Sequence, residues 1–162
     1  MTTATGSRDP AALLDALAAT PDRLDALLDG VPEAALDSAP AGEWPARTVI
    51  SHLRDNEWMV ERPRLSRMLL EDHPTLVPFD EQAWAASPWN AHDPAPQLLR
   101  DFRLQRDATL AVLRRLQPDH WRRTGLQPEY GEFDVHWLLD QWLTHDETHL
   151  AQIEATLAGA SA

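Results

Sequence analysis

The sequence predicts an all-α protein, an up-and-down four-helix bundle with a long crossover between the second and third helices. Three observations carry this. Apolar residues recur at helical spacing in four separate stretches, and no stretch reads convincingly as a strand. Residues 72 to 96, DHPTLVPFDEQAWAASPWNAHDPAP, hold five prolines and two tryptophans, too many breakers for a helix. Long amphipathic helices joined by one long connection pack most economically as a bundle. The 162 residues show no break in composition, so 1–162 is expected to form a single domain with one sizeable core.

The first helix opens at Asp9 as cap and Pro10 as first helical residue, with Leu13, Leu17, Leu24 and Leu28 on one face. Thr20-Pro21 kinks it or divides it into two collinear pieces, and Gly30 ends it. VPEAALDSAPAGE is read as a linker. A second helix starts near Pro45, carries Val49, Ile50, Leu53, Val60, Leu65, Met68 and Leu69, kinks at Pro63 and stops before His73-Pro74. After the crossover, which its tryptophans mark as an ordered cover, the third helix runs from about Asp93 to Gln117. Leu98, Phe102, Ala108, Leu110, Val112, Leu113 and Leu116 are its apolar positions, and Pro118 stops it. Asp134 caps the fourth helix, which continues to Gly159.

Charge and composition exclude several functions. Lys and Arg total 14 against 26 Asp and Glu, a formal net charge of −12 that opposes nucleic-acid backbones and anionic membranes. There is no cysteine, hence no disulfide, no thiolate ligand and no cysteine nucleophile. The opening MTTATGSRDP lacks a basic region followed by an apolar run, and no window approaches the roughly 20 apolar residues of a membrane span. A soluble, cytoplasmic protein is expected.

The stretch HDETHLAQIE, His145 to Glu154, places two histidines one turn apart. With His145 as origin, Leu138 falls at about 20°, His149 at 40°, Trp142 at 60° and Ile153 at 80°, so both imidazoles share the inward face and can converge on one cation. The pattern is not that of a zinc protease: Asp146 stands where such an enzyme has its glutamate, and Glu147 points about 160° away from the inward face. Packed neutral core histidines are the alternative. A third ligand must come from another helix, and His52, bordering the apolar stripe of the second helix, is the best placed.

EWPARTVISHLRDNEW and HDETHLAQIEA resemble the DinB superfamily, the DinB/YfiT-like metalloenzymes. The resemblance covers most of the chain: TPDRLDALLDG, Trp44, the run from His52 to Glu57, DEQAW in the crossover, and the terminal HDETHLAQI. It implies a four-helix bundle with a divalent metal held by three histidines, here His52, His145 and His149. Many relatives carry a histidine before the turn that reads Leu126-Gln127-Pro128-Glu129-Tyr130-Gly131 here, so a substrate contact near that turn is expected to be missing.

Three neutral imidazoles leave a dipositive ion with charge and an open position, which suits catalysis better than a closed structural site. Zinc or nickel is expected, with iron or manganese also compatible. The resemblance implies thiol S-transfer, from a low-molecular-weight thiol cosubstrate to a small electrophile. A metal-dependent hydrolase and a non-catalytic metal-binding or stress-response module are the alternatives. Asp146, Glu57 and Asp55 are candidate proton-movers or imidazole-orienting groups. Trp84, Trp89, His92, Arg103 and Arg106 are candidate substrate contacts, each with a plain structural or ion-paired alternative. Leu139, Leu143, Leu150 and Leu157 form a second stripe at about 120° to 160° from His145, from which a homodimer is expected.

Overall fold

A computed structural model describes residues 3–87 and 93–160. Helix α1 (Pro10–Leu28) begins where Asp9 accepts hydrogen bonds from the backbone N–H groups of Ala11 and Ala12, both at 3.0 Å. It runs unbroken through Pro21. A short 3₁₀ turn, Glu33–Asp37, follows within the stretch read as a linker. Helix α2 (Ala46–Asn56) passes through a π-helical turn, Glu57–Glu61, into α3 (Arg62–Leu70), so the expected second helix is one path with a widened turn. Pro63 accounts for the widening. It cannot donate to the carbonyl one turn back and its ring crowds that carbonyl, whereas the Arg62 N–H bonds the Glu57 carbonyl five residues earlier.

The crossover carries a short helix, α4 (Glu81–Ala85). Helix α5 (Ala95–Leu113) ends about a turn earlier than expected, and Val112 is exposed rather than packed. Pro118 does not merely stop a helix; it opens α6 (Pro118–Trp121). An unexpected antiparallel hairpin follows, β1 (Thr124–Gln127) and β2 (Gly131–Asp134). Its turn is stabilised by the Gln127 side-chain oxygen, which accepts from the N–H groups of Glu129 (2.6 Å) and Tyr130 (2.9 Å), and Gly131 supplies φ +82°. Both hairpin edges are covered: Leu76 and Pro74 pair with Leu126, and Ala4 pairs with Glu132 and Asp134. Helix α7 (Val135–Ala160) starts at Asp134, whose carboxylate accepts from the Trp137 N–H at 2.7 Å.

In the bundle α1 packs on α5 and α7, and α2 packs on the same two helices from the opposite side. The core divides into two apolar clusters. One gathers Leu13, Leu17, Met68, Leu113, Phe133 and Trp142; the other gathers Leu24, Val49, Ile50, Leu98, Phe102 and Ile153. Each helix passes from one cluster to the other, and at the crossing level it carries buried or half-buried polar side chains: Thr20, then His52, Asp55, Asn56, Glu57 and Glu61, then Arg106, and His145, Asp146 and His149. The three histidines nominated from the sequence lie in this layer.

The leucine stripe on α7 does not form an outer face. Leu139, Leu143 and Leu150 are fully buried and Leu157 packs partly buried against the second cluster, because α7 is flanked by α1 and α2 and needs a wide apolar surface. The homodimer expectation loses that basis.

Candidate metal centre

His52, His145 and His149 meet in the polar layer. One ring nitrogen from each lies within 4.8 Å of the other two. The Nε2 atoms of His52 and His145 are 2.9 Å apart, and the His149 ring centroid stands 4.7 Å from that of His52 and 4.4 Å from that of His145. His149 Nδ1 bonds the Gln152 side-chain oxygen at 2.8 Å, which orients the ring from within α7 and leaves the other nitrogen to the group. Apolar walls surround His52, with the Trp84 ring at 5.0 Å and the Trp44 ring at 5.4 Å.

These surroundings set the protonation. Burial, with the neighbouring His145 and His149, pushes His52 down to about 3. Burial, with His149, Arg106 and Arg64, pushes His145 down to about 3. Imidazoles that stay neutral and turn ring nitrogens toward a common point fit a divalent cation. The remaining described histidines do not join them. His73 bonds Thr124, His120 accepts from the Gln117 N–H, and His136 bonds the Arg8 carbonyl.

A cavity of about 280 Å³ opens beside His145 and His149. Glu61, Arg64, Phe79, Gln127, Tyr130 and Trp137 contribute to its walls. Glu61 is buried, its Oε2 has no hydrogen-bond partner among the described residues, and burial pushes its carboxyl up to about 7 against the pull of Arg64. Neither Glu61 nor Arg64 stood out in the sequence. On an uninterrupted helical wheel Glu61 falls about 180° from His52, but the extra residue of the π turn rotates it back by about 100°. Pro63 was the signal that could have revealed them.

The carboxylates nominated from sequence lie elsewhere. Arg106 is fully buried between Glu57 and Asp146, at 2.9 and 2.7 Å, and is not a substrate contact. Burial opposes its charge, but Asp146 and Glu57 hold the guanidinium protonated. Asp146 also accepts from Thr20 at 3.0 Å. Asp55 accepts from the Trp84 indole at 3.0 Å and from Arg54 at 2.8 Å. None of these three acids lines the cavity or bonds a histidine of the group; they fix the helices that carry the imidazoles. Arg103 is on the surface, paired with Asp22 and Asp25 at 2.8 and 2.6 Å, because α5 turns it outward toward α1. Trp84 is buried and pins the crossover to α2 instead of lining the cavity mouth. Trp89 and His92 lie outside the described residues.

Residues 16–153 match the family model of the DinB superfamily. Two proteins of Oceanobacillus iheyensis, each named a putative metal-dependent hydrolase, align with the chain. One is 30% identical over 113 residues, 70% of this chain and 64% of that protein; the other is 24% identical over 120 residues, 74% and 68%. The chain thus matches somewhat under two thirds of the first relative's length. Among solved structures, YfiT from Bacillus subtilis, described as a probable metal-dependent hydrolase with an unusual four-helix bundle topology, superposes with a TM-score of 0.85. The superposition covers 98% of this chain and 91% of that one at 23% identity, a likeness of fold. Among the described residues no helix is long and apolar enough to cross a membrane.

Proposed function

The chain belongs to the DinB superfamily, and from that premise we propose that it is a divalent-metal-dependent enzyme acting on a small molecule, with hydrolysis as its leading reaction. The observation that supports this is the meeting of three inward imidazoles, two of them held neutral, beside a cavity large enough for a small substrate. His52, His145 and His149 would hold the ion, which supplies Lewis acidity and lowers the pKa of a bound nucleophile. The chain's own residues do the rest. Glu61, on the cavity wall with a carboxyl that titrates near neutrality, is placed to hold or pass a proton. Arg64, whose buried Nε has no partner among the described residues, offers a donor to an oxygen of the substrate. Phe79, Phe133 and Trp137 give the cavity apolar surface for the remainder.

Hydrolysis leads because the aligned Oceanobacillus proteins carry that name. Thiol S-transfer is the second reading, favoured by the polar residues along the same cavity, Gln127, Gln141, Thr144 and Thr148, which suit a hydrophilic thiol cosubstrate. The test is elemental analysis of untagged protein, then zinc-, nickel- and manganese-loaded protein assayed with ester and amide panels, and with thiols plus a generic electrophile. Metal-dependent turnover lost in His52→Ala, His145→Ala and His149→Ala is expected. Absence of metal binding would overturn the proposal, and turnover with thiol only would move it to the second reading.

A further inference from the structure

We infer that Glu81 is a fourth, carboxylate ligand to the ion held by the three histidines, an inference that rests on the metal-dependent reading above. Glu81 belongs to α4 in the crossover, and α4 is firmly placed. Asp80 caps it, accepting from the Ala83 N–H at 2.8 Å. Trp84, three residues after Glu81 and so on the same side of the helix, is buried with its ring against His52 and its indole N–H on Asp55. The tryptophan therefore anchors the helix that brings Glu81 to the cavity wall.

Glu81 Oε1 stands 3.9 Å from Nε2 of His52, the same nitrogen that meets His145. Two ligand atoms bonded at about 2.0–2.2 Å to one tetrahedral zinc ion lie about 3.3–3.5 Å apart, so the carboxylate is about half an ångström beyond ligand spacing from His52. It does not yet share the mutual reach of all three imidazoles. Its side chain is about half exposed, and a change of rotamer toward the imidazoles is the movement that the inference requires.

Charge favours the move. Three neutral imidazoles leave the ion its full charge, and Arg106 and Arg64 already place positive potential at His145. A carboxylate offsets this. Glu57 and Asp146 are committed to Arg106 and Asp55 to Arg54 and Trp84, while Glu61 turns one oxygen toward Arg64 at 3.6 Å. Glu81, reaching in from the crossover and partly solvated, is the acid able to join the ion and to yield its place to an incoming ligand.

The test uses metal-free full-length protein, wild type, Glu81→Gln, Glu81→Ala and His52→Ala, titrated with cobalt(II) and then with zinc against a competing chelator. Both Glu81 variants should bind about ten- to a hundredfold more weakly and show an altered cobalt visible spectrum, with acetate restoring the spectrum of Glu81→Ala. If they match wild type in affinity and spectrum while His52→Ala loses the ion, Glu81 is not a ligand and the three-histidine reading stands. Failure of wild type to bind either ion overturns both.

Discussion

His52 and His145 stay neutral down to about pH 3, whereas an unperturbed imidazole charges near 6.5. A metal held by unperturbed imidazoles would be released below about 6.5, whereas at these two candidate ligands proton competition begins far lower. The same shift has a stability consequence. Between 6.5 and 3 the unfolded chain takes up protons that the folded chain refuses, so stability is full above 6.5 and is lost as pH falls through that window. Each histidine adds at most about 1.4 kcal/mol per pH unit, and urea unfolding of metal-free protein at pH 4 to 7 should show a slope that His52→Gln flattens. Glu61 has the opposite sign. Its carboxyl is neutral in the fold up to about 7 but ionises near 4.5 when unfolded, so its contribution is full below 4.5 and lost as pH rises through 7. Glu61→Gln should therefore stabilise the protein at pH 8, by about 2 kcal/mol, and scarcely at pH 5, a difference that melting at the two pH values would measure.

At the scale of elements, Pro21 and Arg106 answer each other. A proline inside α1 cannot donate to the carbonyl four residues back, that of Leu17, and the Arg106 guanidinium donates to it instead at 2.9 Å. The same guanidinium bonds Glu57 after α2 and Asp146 on α7, so one side chain from α5 fastens the other three sides of the bundle. Arg106→Leu leaves two buried carboxylates and an orphaned carbonyl, and should cost about 3–5 kcal/mol in chemical denaturation. Arg106→Lys should recover little, since an ammonium cannot span three acceptors held in a planar fork. Metal affinity should fall with it, because Asp146 adjoins His145 and sets the position of α7. Leu143→Glu, which a dimer face on α7 would have tolerated in the monomer, should unfold the chain, since Leu143 is buried in the first cluster.

For the whole molecule, two apolar clusters above and below the polar layer supply the folding free energy without an ion. Removing metal with a chelator should leave helical circular dichroism nearly unchanged and lower the melting temperature by the linked binding energy, and full loss of helicity would contradict the layered core. The hairpin and the Ala4 segment close the end of the first cluster, and His52 is covered by Trp84 of the crossover together with Trp44 from the segment just before α2.

Read alone, the sequence determined the four long helical paths and the two-histidine spacing on α7, because periodicity, caps and prolines are local: Asp9, Asp134 and the run from His145 to His149 act within a few residues of themselves. It missed the hairpin at 124–134, whose strands are four residues each and hold by pairing with Ala4 and Leu76 from distant parts of the chain. It put Arg106 and Asp146 among the site's candidates, but whether a charged side chain faces a cavity or another charge depends on which helices are neighbours. It left out Glu61, Arg64 and Glu81, the first two because a π turn shifts the helical phase and the last because a crossover's path has no period to read. The meeting of His52 with the α7 pair, 93 residues apart in sequence for His52 and His145, was decided by the packing of α2 on α7. Which groups share a buried layer, and therefore which are neutral, paired or open to a ligand, follows from that packing alone.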